Sequence, residues 1–100
     1  MKVFAVSKVR LDKDGRVIAV LWGEVDPAAN AWLTIEAVAR VEDVVQAIRT
    51  GALVFALFPT THGHLPDRRF TDVRYGERYT TIALDGPPTF EREVHDMARL

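Results

Sequence analysis

The run Val17-Ile18-Ala19-Val20-Leu21-Trp22 is apolar at every position, and it restricts the fold more than any other feature of the chain. A strand without a polar face must be covered on both sides or lie inside a closed sheet. Asp12-Lys13-Asp14-Gly15 precedes it and supplies turn chemistry, with Gly15 free to take positive φ. Ahead of that turn, Lys2 to Leu11 reads as a strand. Val3, Ala5, Ser7, Val9 and Leu11 fall on one face, and Phe4 and Val6 share the other with Lys2, Lys8 and Arg10. The two segments predict a β-hairpin. A second fully apolar strand is expected over Leu53 to Phe58, ended by Pro59.

Between these strands the pattern is mixed. Asp26-Pro27-Ala28-Ala29-Asn30 is a loop, because Asp-Pro starts turns and disfavours helix before it. Leu33, Ile35, Ala37, Ala39 and Val41 have strand period, whereas Ile35, Val38, Val41, Val45 and Ile48 have helix period, with Thr34 as an N-cap for that alternative. The reading adopted is a strand over 32–39 and a helix over 41–50. Glu42 and Asp43 suit its positive N-terminal end, Arg49 its last turn, and Gly51 the left-handed stop. The buried stripe is expected to be Val41, Val44, Val45 and Ile48.

Beyond Pro59, Thr60 to Pro66 is a loop holding Thr-Thr-His-Gly-His. Arg68 to Tyr75 and Arg78 to Leu84 predict a second hairpin around a two-residue Gly76-Glu77 turn. Its polar residues, Asp72, Arg74, Thr80 and Thr81, mark an edge. Asp85-Gly86-Pro87-Pro88 breaks the chain. Thr89 then caps a final helix with Phe90, Val94 and Met97 as its stripe.

These elements sum to an α+β domain with a mainly antiparallel sheet of five to six strands and one or two short helices. At 100 residues, 48% apolar and 27% charged, the chain suits one soluble domain over 1–100. Two short helices cannot cover two strands that are apolar on both faces. The sheet therefore either curls into a small barrel or is buried by a second copy, and a homodimer is the expected assembly.

The absence of cysteine excludes a disulfide scaffold, a thiolate metal cluster and a cysteine nucleophile. The net charge of −1 gives no bulk pull toward nucleic acid or anionic membrane. After Lys2 the apolar stretch is four residues, too short for a secretory signal, and the run Ala52 to Phe58 is far too short for a membrane span. A cytoplasmic location is the expectation. Arg supplies most of the basic residues, and Ala and Val are abundant, as GC-rich bacterial coding produces.

Three groups of residues could carry function. His62 and His64, separated by Gly63, with Asp67 three residues on, have donors suited to a divalent metal. Such a site needs a further ligand, the only other histidine is His95, and an exposed polar turn is the plainer reading. Arg68, Arg69, Arg74 and Arg78 gather positive charge among Phe70, Tyr75 and Tyr79, a pattern that single-stranded nucleic acid can stack on. Asp67, Asp72 and Glu77 nearly cancel that charge, so a salt-bridged edge strand competes with this reading. Trp22 and Trp32 flank the Asp-Pro loop and suit a core, an interface or an apolar pocket. No nucleophile elbow, phosphate loop or marked acid–base pair is present, so a non-enzymatic role without a cofactor is expected.

The chain also resembles a family of small bacterial proteins known as a domain of unknown function. The resemblance rests on Val6-Ser7-Lys8-Val9-Arg10-Leu11-Asp12-Lys13-Asp14-Gly15-Arg16-Val17, on Glu42-Asp43-Val44-Val45-Gln46-Ala47-Ile48-Arg49-Thr50-Gly51 and on Tyr79-Thr80-Thr81-Ile82-Ala83-Leu84-Asp85-Gly86. It implies the strand over 32–39, and it implies no activity, cofactor or catalytic residue.

Overall fold

The computed structural model describes residues 1–58, 68–87 and 93–100. The leading hairpin forms as its sequence dictates. Strand β1 (Val3–Leu11) pairs antiparallel with β2 (Val17–Asp26). Asp12 closes the turn: its Oδ1 accepts from the Asp14 and Arg16 backbone N–H groups, both at 2.9 Å, and Gly15 sits at φ 82°.

Two irregularities shift the register, between Val6 and Lys8 and between Arg10 and Leu11. The first makes Ser7 an extra residue and changes which side chains face inward. Simple alternation placed Val6 and Val9 on opposite faces, yet both pack in one core with Phe4 and Leu11 beside them. A strand can therefore carry two apolar sets without exposing either.

Strand β3 (Ala31–Trp32) and β4 (Ala37–Arg40) lie along the same side of β2. The continuous strand expected over 32–39 is thus interrupted. The Glu24 carbonyl accepts from both Leu33 and Thr34 N–H, and the Thr34 hydroxyl accepts from Glu24 N–H, which turns the chain off the ladder. Helix α1 (Val41–Arg49) follows β4 directly, with Glu42 and Asp43 in its first turn and Val41, Val44 and Val45 buried. It ends in a Schellman arrangement: Gly51 N–H donates to the Ile48 carbonyl and Ala52 N–H to the Ala47 carbonyl, with Gly51 at φ 101°.

Strand β5 (Leu53–Ala56) returns parallel to β1. Strands β6 (Phe70–Tyr75) and β7 (Tyr79–Leu84) make a separate antiparallel hairpin, joined to β5 through the isolated Phe55–Arg69 bridge. The pairing of Tyr75 with Tyr79 leaves a three-residue loop, Gly76 to Arg78, one more than the sequence suggested. At the end of the chain, Val94–Asp96 forms a single 3-10 turn, and β8 (Ala98–Arg99) runs parallel to β1. The final helix expected from Val94 and Met97 is corrected accordingly. Leu100 N–H donates to the Val9 carbonyl, so the backbone finds its partners in β1 rather than in a helix. Phe90, the other member of that stripe, lies outside the described residues.

The result is an α+β fold with a mixed six-stranded sheet, because β5 and β8 are both parallel to β1. A mainly antiparallel sheet was expected because hairpins are visible in sequence and long-range parallel pairings are not. Nor does the sheet close into a barrel: among the described residues β3 and β4 leave an edge unpaired, and the second hairpin stays a sheet of its own. Helix α1 and that hairpin instead cover one face. The core joins Val6, Val9 and Val20 to Val41, Val44, Val45, Val54, Phe70 and Ile82. Each wholly buried valine contributes about 1.5 kcal/mol or more. Thr81 bolts the hairpin to the sheet, its hydroxyl donating to the Val17 carbonyl at 2.8 Å.

Candidate interaction surface

The opposite face of the sheet has no helix against it among the described residues. Its composition follows from the register. Val38 opposes Leu21, which opposes Lys8; Arg40 opposes Ala19, which opposes Arg10. Ala39, Val20 and Val9, one residue out of phase, point into the core. The outer face therefore carries Val38, Leu21, Lys8, Arg40, Ala19 and Arg10, an apolar strip edged by cations.

Trp32 covers one end of this face. A Cβ placed on Gly23 would stand 3.0 Å from two atoms of the indole ring, so the ring lies against the bare glycine backbone. Ala5, paired with Gly23, and Val25, paired with Trp32, are buried there. The middle is crossed by Glu36, whose Oε1 accepts from the Ser7 hydroxyl. The segment between β3 and β4 is thus pinned across the sheet, and its apolar side chains are turned to solvent.

Ile35 is 94% exposed, Val38 61%, Leu33 59% and Trp32 44%. Three of these four, Trp32, Leu33 and Ile35, line a shallow depression together with Thr34 and Glu36, and Val38 stands exposed beyond it. Isolated exposed apolar residues are ordinary, whereas contiguous ones mark contact surfaces. The sequence placed Leu33 and Ile35 on the same strand face as Ala39 and Val41. The break at 33–34 reverses that, and hydropathy alone gives no sign of it.

The sheet separates the two tryptophans. Trp22 stacks on Phe4 on the core side, with ring centroids 4.3 Å apart. That pair borders an open groove of about 620 Å³, shared with Lys2, Asp43, Ala47 and Gly51. Trp32 lies on the other side over Gly23, so Trp22 and Trp32 do not line one pocket.

The four arginines of the second hairpin are also dispersed. Arg68 is largely buried; it donates to the Pro87 carbonyl at 2.8 Å and to the Glu93 carboxylate at 3.1 and 3.2 Å. Arg69 approaches Asp85 at 3.8 Å. Arg74 and Arg78 lie at the far end of the hairpin, roughly 20 Å along the strand from Arg68 at about 3.3 Å per residue. There Tyr75 lies under the Arg16 guanidinium at 4.2 Å and stacks with exposed Tyr79 at 5.7 Å. Two of the four cations thus serve the fold, and the set makes no continuous groove.

His62, His64 and Asp67 lie outside the described residues. Among the described residues no group of three histidine or carboxylate side chains gathers to hold a metal. His95 is exposed and sits 3.6 Å from Asp96. Among the described residues, no helix is long and apolar enough to cross a membrane.

These features define an open-edged α+β sandwich with a solvent-facing apolar strip. No family model matches the chain, and neither the curated proteins nor the solved structures contain a match.

Proposed function

We propose that this protein is a non-enzymatic interaction module that self-associates through the outer face at the β3–β4 edge of its sheet. One observation carries the reading: Trp32, Leu33, Ile35 and Val38 stand exposed together on a segment fixed in place by Glu36 and Ser7. An apolar surface held in one conformation loses little freedom when it is covered, which favours association. The hydroxyls and carboxylates that draw the eye are engaged in the fold: Ser7 with Glu36, Thr81 with Val17, and Asp12 with its own turn. The resemblance to the bacterial domain of unknown function brings no activity that conflicts with this role.

Sedimentation velocity across a range of protein concentrations tests the reading. The wild-type chain is expected to shift from monomer to dimer, and Ile35→Asp to remain monomeric with an unchanged circular-dichroism spectrum. Ile35 is almost fully exposed, so this change leaves the fold intact. A wild-type chain that stays monomeric at high concentration removes the proposal.

A further inference from the structure

The backbone at this edge specifies how two copies meet. The Val9 carbonyl accepts from Leu100 N–H, so Val9 directs its backbone groups away from β2. Along a strand these groups alternate sides. Val20, which opposes Val9, therefore turns its own toward β4, and Ala39, which opposes Val20, turns back to meet it. Val38 and Arg40, out of phase with Ala39, aim their N–H and C=O groups outward from β4. That edge pairs with no other strand among the described residues. Unpaired edges of this kind are templates for another strand.

We infer that two copies join by antiparallel pairing of β4 with β4 about a two-fold axis through Val38, extending the sheet across the dimer. The inference rests on the self-association reading and adds its register. Charge selects this occupant. With Val38 opposite Val38 of the second copy, Ala37 faces Ala39, and Glu36 faces Arg40 on both sides of the axis. A closed two-fold contact requires this self-complementarity, and a single short segment supplies it. Arg40 makes no ion pair among the described residues. Glu36 uses Oε1 for Ser7, and its Oε2 has no partner among them. Arg40 is thus free at the edge to reach the Glu36 carboxylate of the second copy, which its own chain engages through one oxygen only. Ile35 and Leu33, exposed beside the pairing segment, would be covered from both copies. The net charge of −1 adds little repulsion between copies.

The chain has no cysteine, so one introduced thiol reports the register without interference. In a hydrogen-bonded antiparallel pair the Cα atoms lie about 5.5 Å apart, within the span of about 4.4–6.8 Å that a disulfide bridges. Val38→Cys is expected to form a covalent dimer under mild oxidation or with a short bis-maleimide, and Lys13→Cys, in the first hairpin turn, is not. Arg40→Glu is expected to weaken the dimer about tenfold, by setting like charges opposite one another twice. The double variant Glu36→Arg with Arg40→Glu is expected to restore it. Ser7→Ala removes the same intramolecular bond to Glu36 without changing charge; by loosening the segment it is expected to weaken the dimer less than Arg40→Glu does, and it sets the level to which the double variant recovers. A wild-type dimer that Val38→Cys does not trap and charge exchange does not rescue overturns this register while leaving self-association intact. A wild-type monomer overturns both, and would leave the strip to a different protein.

Discussion

Two residues show how local chemistry sets this surface. Gly23 is needed for the room it gives Trp32, since its backbone takes an ordinary extended form in mid-strand while an added Cβ would press on the indole at 3.0 Å. Gly23→Ala is expected to lift Trp32 off the sheet and cost about 1–3 kcal/mol through overpacking. In a Trp22→Phe background, the emission of the remaining tryptophan should shift to the red, and chemical denaturation should give the loss. An unchanged spectrum would mean that Trp32 does not rest on Gly23. Asp12 works at the other end of the hairpin. Hydrogen bonds from the Arg16 and Asp14 backbones, with the nearby positive charges of Arg16 and Lys13, hold its carboxyl below the usual value of 3.8. A carboxyl depressed in the folded state adds stability above its unfolded value, and that stability disappears as pH falls through the folded value. Asp12→Ala is therefore expected to be less stable than wild type at pH 7, with the gap narrowing below about pH 4. Denaturation at both pH values measures it; a gap that widens in acid contradicts the assignment.

Whole elements were readable where their determinants are local. The first hairpin, helix α1 and its Gly51 stop follow from turn residues, a 3.6-residue apolar stripe and a C-terminal glycine, all within a few positions of one another. What the sequence hid depends on distant partners. The Ser7 bulge exists because β1 must satisfy β2 while bringing both Val6 and Val9 inward. The break at Leu33 and Thr34 is set by Glu24, ten residues back along the chain. Ala98 and Arg99 become a strand because β1 leaves an edge open beside them, although their local pattern suits a helix equally well. The candidate surface shares this dependence: its residues were in view, yet their exposure follows from the break. The attachment of the second hairpin is of the same kind. Thr81, buried and bonded across 64 positions to the Val17 carbonyl, holds β7 against the start of β2. Thr81→Val preserves shape and strand preference but leaves that carbonyl unpaired, with an expected loss of about 1–3 kcal/mol. Denaturant unfolding should show it as a shifted midpoint with an unchanged slope. No shift would show that water replaces the hydroxyl at no cost.

For the molecule as a whole, the decisive fact is that its two sheet faces are treated differently. One is filled by α1 and the second hairpin, down to valines with no exposed surface, while the other keeps Ile35 and its neighbours in water. The one α-helix among the described residues cannot cover two faces, and the uncovered strip adjoins an edge that pairs with no other strand among them. If the second copy supplies the cover, folding and association are linked, because only folded chains can pair. Such linkage makes the melting temperature depend on protein concentration. Wild-type protein is expected to melt several degrees higher at a hundredfold greater concentration, whereas Ile35→Asp should melt at a single temperature throughout. Raising salt should weaken the paired Glu36 and Arg40 charges more than the apolar contacts, so the concentration dependence should shrink without vanishing. Calorimetry over that range decides between the two accounts of the strip. A melting temperature independent of concentration in the wild-type chain would show that the outer face stays uncovered by its own kind.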